Sequence, residues 1–476
     1  MSLFARKPLS RILAESEGGE HSLKRTLTAG GLIALGIGAI IGAGIFSLTG
    51  KAAAENAGPA ITISFIAAAF GCVFAGLCYS EFATMVPIAG SAYTYAYATM
   101  GELIAWIIGW DLVLEYAVAA STVSISWSAT LVSILHDFGI DLPNAIVASP
   151  LQGGTGGLFN LPAVFIVVAL TLLLVVGIQE SARVNNVIVA LKVTVVVLFI
   201  VLGWAYIDQA NYTPYIPPAE DTGRYGWSGI LRAAGIIFFA YIGFDAVSTA
   251  AQEAKNPQRD MPIGIIGSLA LCTVLYILYA HVLTGVVNYK DLLTAAPLAV
   301  ALDRIPYPVM GKLMKIASLA GLTSVILVML LGQSRIFFTM SKDGLLPKFF
   351  EECHPKFRTP WKSNLLLMVF VSIFAAFAPI SIVGEMTSIG TLLAFVIVCA
   401  GILVMRKTDP NANRPFRTPL VPFVPIMGML VNFALMMGLP GDTWIRLVVW
   451  LLIGFLIYFG YGRSHSKLQA SLNGKS

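Results

Sequence analysis

The stretch Gly36-Ile-Gly-Ala-Ile-Ile-Gly-Ala-Gly-Ile-Phe46 places four glycines within nine residues of a long apolar segment. Each glycine costs up to about 1 kcal/mol relative to alanine inside a helix, so a continuous helix is disfavoured here. A second apolar segment, Phe238-Phe-Ala-Tyr-Ile-Gly-Phe-Asp245, has a glycine in its middle and an acid two residues later. Two interpretations stay open at this point: close helix packing through the Gly38-x-x-x-Gly42 spacing, or a pair of broken helices.

The rest of the chain consists mainly of long apolar runs. Of its 476 residues, 57% are hydrophobic and 12% are charged, which is about half the charged share of a soluble protein. This composition excludes disordered and nucleic-acid-binding classes. Because about 20 apolar residues cross a bilayer, we predict an all-α integral membrane protein. Its twelve transmembrane helices lie near residues 28–48, 59–81, 100–130, 161–179, 186–207, 229–250, 262–287, 310–340, 363–380, 387–405, 419–439 and 443–461.

The two glycine-interrupted segments are the first and the sixth of these helices. Inverted-repeat transporters place broken helices at corresponding positions of their two halves. A repeat of five helices makes the first and sixth helices equivalent, so we favour broken helices over simple packing.

Breaking a helix leaves backbone N–H and C=O groups without helical partners, which is costly in a membrane unless a ligand or protein group satisfies them. The amides of Ala43, Gly44 and Ile45, directly after Gly42, would begin a second half-helix and favour a carboxylate. The carbonyls that would suit an ammonium group belong to Ile40, Phe239, Ala240 and Ile242. A site that binds a carboxylate and an ammonium group close together describes an α-amino acid.

The placement of charge predicts the orientation of the chain. Most of the 30 Lys and Arg residues fall in the loops on one side of the predicted helices, together with both termini. By the positive-inside rule, residues 1–27 form a cytoplasmic N-terminal segment and residues 462–476 a cytoplasmic tail. The net charge of +5 therefore reports orientation and says little about partners. Residues 1–27 also lack the apolar stretch of a signal peptide.

A few ionisable residues lie inside the predicted helices. Asp111 and Glu115 are four residues apart on one helix face, and an acid at this depth needs a partner, a water cavity or a proton. The alternative for both is a structural link between helices. Lys192 lies on the fifth helix, where its alternative is snorkelling to the surface. Asp245 follows the second glycine break and could cap the next half-helix, and Met329 is most simply a core residue.

Other functional classes lack support in the sequence. The five His residues are scattered, the five Cys residues show no metal-site spacing, and we find neither a catalytic triad nor a Walker A motif. We therefore predict no enzyme activity, no metal and no cofactor. A channel is disfavoured because we find no repeated pore loop.

Several motifs in order resemble the amino acid–polyamine–organocation (APC) superfamily, and most closely its cationic amino acid transporter branch, in a bacterial twelve-helix form. Besides the two glycine-interrupted segments, they are Pro87-Ile-Ala-Gly-Ser-Ala-Tyr93, Asn256-Pro-Gln-Arg-Asp-Met-Pro262, Gly332-Gln-Ser-Arg335 and Arg414-Pro-Phe-Arg-Thr-Pro419. The resemblance implies a leucine-transporter-like fold. Its inverted five-helix repeats would occupy residues 28–207 and 229–405, with two further helices in 419–461.

The resemblance also implies roles for single residues. Lys192 matches the lysine that replaces bound sodium in proton-coupled members, which makes it the expected proton-coupling residue. Glu115 matches an acidic position on the third helix and Met329 a pocket-facing position, so the resemblance implies that both contact the substrate. The expected function is import of L-amino acids across the plasma membrane by proton symport with alternating access. An amino acid or polyamine exchanger of the same fold stays an alternative. The sequence leaves open whether neutral or cationic side chains are accepted and whether a small membrane subunit accompanies the chain.

Overall fold

A computed structural model describes residues 3–8, 12, 27–86, 91–151, 157–177, 182–251 and 254–472. Within these residues the chain is helical and contains no β-strand, only isolated bridges such as that between Leu27 and Ala254. The prediction of an all-α protein is thus confirmed for the described residues. The motif residues 87–90 lie outside them.

The principal helices follow the apolar runs of the sequence. They are α1 Ala29–Ile40, α2 Ile61–Met85, α3 Ser91–Thr99, α4 Glu102–Val113, α5 Ala119–Asp137, α6 Leu161–Val176, α7 Ala182–Trp204, α8 Gly226–Ile237, α9 Ala246–Thr249, α10 Pro257–Val286, α11 Pro297–Arg304, α12 Pro308–Lys342, α13 Trp361–Phe377, α14 Ile380–Thr408, α15 Phe423–Gly438, α16 Gly441–Ile457 and α17 Lys467–Leu472. A π-turn, Leu114–Val118, joins α4 to α5.

Eight helical segments within the described residues are long and apolar enough to cross a membrane. They are Gly44–Met85, Glu102–Asp137, Asn186–Trp204, Gly226–Ser248, Pro257–Val286, Pro308–Lys342, Ile380–Thr408 and Gly441–His465. Four shorter apolar helices, α1, α6, α13 and α15, accompany them. Their large apolar side chains are widely exposed, as in Leu271 and Val274 of α10, which fits a hydrocarbon surrounding better than water.

The first helix stops in the glycine-rich stretch. α1 begins after Thr28, whose hydroxyl accepts a hydrogen bond from the amide of Gly31, and it ends at Ile40. Ile41 is extended, with φ −73° and ψ 102°. A π-turn then begins at Gly44 and runs to Leu48. The backbone is therefore non-helical between Ile40 and the second helical run.

The segment after α8 is also irregular. α8 passes into a 3₁₀ turn, Phe238–Tyr241, and Gly243 has φ +117°, a conformation that favours glycine. A Cβ added at Gly243 would lie 2.8 Å from the carbonyl carbon of Ala39. Helical structure resumes at Ala246 in α9.

The two irregular segments touch each other in the centre of the molecule. A Cβ added at Gly44 would lie 2.2 Å from the Cα of Ala240. Only glycine permits this approach of one backbone to the other. The glycines in the two irregular segments thus also allow these segments to pack against each other.

A buried ion network joins α2 to the loop after α14. Glu81, which is 1% exposed, accepts two hydrogen bonds from Arg406 at 3.0 and 2.8 Å. Arg414 lies 3.2 Å from the same carboxylate, and the amide of Thr418 donates to it at 2.8 Å. The Arg414–Pro419 motif therefore has a structural role, because it closes this network.

We expect Glu81→Gln to destabilise the protein by about 3 kcal/mol, since it removes the negative charge between two arginines in a buried site. Thermal unfolding of the purified protein in detergent measures the effect. The matched control is Glu220→Gln, which removes an exposed ion pair with Arg224, and such pairs contribute about 0–1 kcal/mol. Equal shifts for the two variants would contradict the structural role of the Glu81 network.

At one end of the helices, the N-terminal segment packs onto the chain between α3 and α4. The carbonyl of Ala5 accepts from the amide of Glu102 at 3.0 Å. Lys7 pairs with Asp343, just after α12, at 2.7 Å, and the hydroxyl of Tyr93 donates to the other oxygen of Asp343. These contacts hold the described part of the N-terminal segment against this end of the helices.

Candidate functional site

A narrow cavity lies where the two irregular segments meet. Its lining consists of Ala39, Ile40, Gly42, Ala43, Val123, Phe239, Ile242, Val325 and Met329. Every one of these residues is buried, and the cavity has room for about one water molecule. The cavity is therefore buried in the interior of the described part of the chain.

The cavity has an apolar lining of side chains beside irregular backbone. Its side chains come from Val123 on α5, Val325 and Met329 on α12 and the irregular segments themselves, and none of them is charged. The polar groups at its edge are backbone N–H and C=O groups of the two interruptions. Such a lining suits an apolar group, while the backbone suits a small polar or zwitterionic one.

Most of the residues expected at a binding site from the sequence lie at this cavity. Ile40, Gly42, Ala43, Phe239, Ile242 and Met329 line it directly. Gly44 and Ile45 belong to the π-turn that begins after Ala43, and Ala240 lies against Gly44. Val123 and Val325 were not expected, because a valine within an apolar helix carries no signal in the sequence.

Two of the expected ligand carbonyls already have protein partners in this conformation. The carbonyl of Ile40 accepts a hydrogen bond from the hydroxyl of Tyr276 on α10 at 2.9 Å. The carbonyl of Phe239 accepts from the amide of Ile242 at 3.2 Å. A carbonyl oxygen has two lone pairs, so each can still accept a second donor. Tyr276 was missed because its partner is distant in the sequence.

Lys192 lies beside the last turn of α1. Its side chain is fully buried instead of extending to the surface, and its ammonium nitrogen donates to the carbonyl of Gly38 at 2.6 Å. Gly38 belongs to the last turn of α1, where a positive charge is stabilised by the helix dipole.

The acidic residues of the membrane segments form a separate cluster. Glu115 does not line the cavity and lies beside Asp245 and Thr391. The hydroxyl of Tyr116 donates to Asp245 at 2.8 Å. Asp111 faces α14, where its carboxylate lies 3.1 Å from the position that a Cβ of Gly390 would take. Asp245 occupies the N-cap position of α9. Buried carboxyl groups at this depth are functional candidates by default.

A buried cavity between irregular segments of apolar helices is typical of secondary membrane transporters. A family model described as amino acid permease matches residues 28–460. The chain belongs to this amino acid permease family, within the APC superfamily, as the motifs of the sequence predicted. It is a multi-pass membrane protein and a permease, not an enzyme.

Curated relatives extend the comparison over nearly the whole chain. A methylthioribose transporter of Bacillus subtilis is 43% identical over 98% of this chain and 99% of its own length. The branched-chain amino acid permease BcaP of the same organism is 45% identical over 98% and 99%. The vacuolar cationic amino acid transporter 4 of Arabidopsis thaliana is 30% identical over 98% and 96%.

Proposed function

We propose that the protein imports neutral L-amino acids with apolar side chains across the plasma membrane, by proton symport and alternating access. The observation that carries this proposal is the buried apolar cavity between the two irregular segments. A secondary transporter needs such a site, which binds a solute while both exits are closed.

The backbone of the amino acid would be held by the backbone of the protein. The amides of Ala43, Gly44 and Ile45 begin the second helical run and would bind the carboxylate. The carbonyls of Ile40, Phe239, Ala240 and Ile242 would bind the ammonium group. The cavity has to widen when the amino acid binds. The flexible side chain of Met329 would supply part of the space, and a change of conformation at the two breaks would supply the rest.

The side chain of the substrate would lie against Val123, Val325 and Met329. A cationic side chain among these groups would lack a charged partner, and burying an unpaired charge is costly. This supports neutral aliphatic substrates over cationic ones. It agrees with the substrate class in the name of the branched-chain amino acid permease, and not with that in the name of the plant cationic transporter.

Proton coupling would depend on Lys192. A protonated lysine binds the carbonyl of Gly38 and holds α1, the first half-helix of the proposed broken helix, in this conformation. The neutral amine would bind that carbonyl more weakly, which would release the half-helix. Glu115 and Asp245, on the neighbouring elements, would support the same movement instead of contacting the substrate.

The proposed architecture has twelve membrane crossings, formed by the eight long and four shorter apolar helices. Two inverted repeats would occupy residues 28–207 and 229–405, followed by two helices in 419–461, with both termini cytoplasmic. Contact between corresponding breaks at Gly44 and Ala240 supports this arrangement.

The substrate class can be tested by thermal unfolding of the purified protein with each of the amino acids in turn. A ligand at 100 times its Kd stabilises the folded state by about 2.7 kcal/mol. We expect leucine, isoleucine and valine to raise the apparent Tm, while lysine, arginine and putrescine leave it unchanged. Methylthioribose belongs in the same panel. Stabilisation by lysine or methylthioribose, without stabilisation by leucine, would contradict the proposed substrate class.

A further inference from the structure

Helix α12 passes the Lys192 side chain at Gly321. A Cβ added at Gly321 would lie 2.8 Å from Cγ and 3.0 Å from Cε of Lys192. Carbon atoms in ordinary contact are about 3.5–4.0 Å apart. Both distances are shorter than that. Because Gly321 has no side chain, it leaves a slot on the surface of α12 that the aliphatic stem of Lys192 fills.

The slot determines the position of the Lys192 ammonium group. Lys192 is on α7, and its target, the carbonyl of Gly38, is on α1. The stem must cross between α1 and α12 to reach that carbonyl, and Gly321 is the α12 residue against which it packs. Any larger side chain at position 321 would push the stem away from its present course.

Gly321 also connects Lys192 to the cavity. Val325, which lines the cavity, is one helical turn further along α12, and residues four apart share a helix face. The same face of α12 therefore contacts the cavity at Val325 and the lysine stem at Gly321.

We propose that Gly321 is a positioning residue for Lys192: its lack of a side chain lets the lysine reach the first half-helix while packing on the helix that lines the cavity. The effect of Gly321 on transport rests on the proposed role of Lys192 in proton coupling. The claim that Gly321 positions the Lys192 side chain does not depend on that role.

A double-mutant cycle tests the positional claim. The variants are Gly321→Ala, Lys192→Ala and the double variant, each measured by thermal unfolding in detergent. We expect Gly321→Ala to lower the apparent Tm by about 2–4 °C when Lys192 is present. In the Lys192→Ala background, the same change should have no cost, because the stem that it would contact is gone. Equal effects in both backgrounds would overturn the proposal.

The control for replacing a glycine in the same helix is Gly311→Ala. A Cβ at Gly311 would have only ordinary contacts of 3.7 Å with Leu302, so we expect an unchanged or higher apparent Tm. Lys192→Met keeps the aliphatic stem, and Gly321→Ala should remain costly in that background. If the cost disappears with Lys192→Met, contact with the stem is not its cause and the proposal fails.

Transport assays then separate the positional claim from the proposed function. In proteoliposomes, we expect Gly321→Ala to reduce leucine accumulation driven by a pH gradient about tenfold more than it reduces leucine counterflow. Equal reductions would overturn the link from Gly321 to coupling. If Lys192→Ala itself keeps full accumulation, the coupling role of Lys192 fails, while the thermal cycle still decides the position of the stem.

Discussion

Replacing Lys192 by alanine should abolish accumulation of leucine driven by a pH gradient. The lysine is fully buried and holds the carbonyl of Gly38 at 2.6 Å. Without it, the carbonyl of Gly38 loses this titratable partner, so protonation at position 192 would no longer select a conformation. A ligand or proton shifts a two-state equilibrium only through a difference in its affinity for the two states.

The measurement is uptake of labelled leucine into proteoliposomes with an acidic exterior, compared with counterflow in the absence of a gradient. For Lys192→Ala, we expect the ratio of accumulation to counterflow to fall at least about tenfold, which corresponds to about 1.4 kcal/mol of lost coupling. Lys342→Ala, at an exposed position at the end of α12, serves as the matched control and should behave as the natural protein. Undiminished accumulation by Lys192→Ala would refute the coupling role.

Replacing Gly44 by valine should eliminate transport for a different reason. The new Cβ would lie 2.2 Å from the Cα of Ala240 and would point at the other break, not into the cavity. Because the obstacle is backbone, a rotamer change cannot relieve it. Overpacking of a buried site costs about 1–3 kcal/mol, and here it would separate the two segments that form the site.

We expect Gly44→Val to lose the leucine-dependent rise in apparent Tm and to lower leucine uptake more than about tenfold. Thermal unfolding with and without leucine gives the first quantity, and initial uptake rates give the second. Gly460→Val is the control, since a Cβ there would have nothing within 4 Å. Normal leucine binding by Gly44→Val would show that the contact between the breaks does not form the site.

The glycine patterns allowed much of the site to be predicted from the sequence. The four glycines from Gly36 to Gly44 disfavour a regular helix. Gly243 adopts a positive φ, which glycine allows. Both are local effects of a missing Cβ, which a sequence displays directly. For Lys192 the sequence left burial and snorkelling to the surface open, and it gave no sign of the partner, the carbonyl of Gly38.

Long-range partners could not be predicted, because side-chain periodicity does not say which helices meet. Arg406 and Glu81 are 325 residues apart, and Trp110 stacks on Trp450 at 4.5 Å across a similar separation. Tyr276 and Val325 belong to helices whose apolar pattern gives no sign of the cavity. Glu115, a predicted substrate contact, lies beside Asp245 and does not line the cavity, since spacing fixes the face of a helix but not its neighbour.

The most direct test of the central claim follows substrate and proton together. Purified protein is reconstituted in sodium-free vesicles that contain a pH-sensitive dye, and leucine is added outside. Cotransport predicts that protons enter together with leucine and acidify the interior. It also predicts that an imposed inward proton gradient concentrates leucine inside the vesicles, and that a protonophore, which collapses the gradient, ends this accumulation. Leucine movement only against preloaded amino acid, without acidification or accumulation, would contradict the account and identify an exchanger.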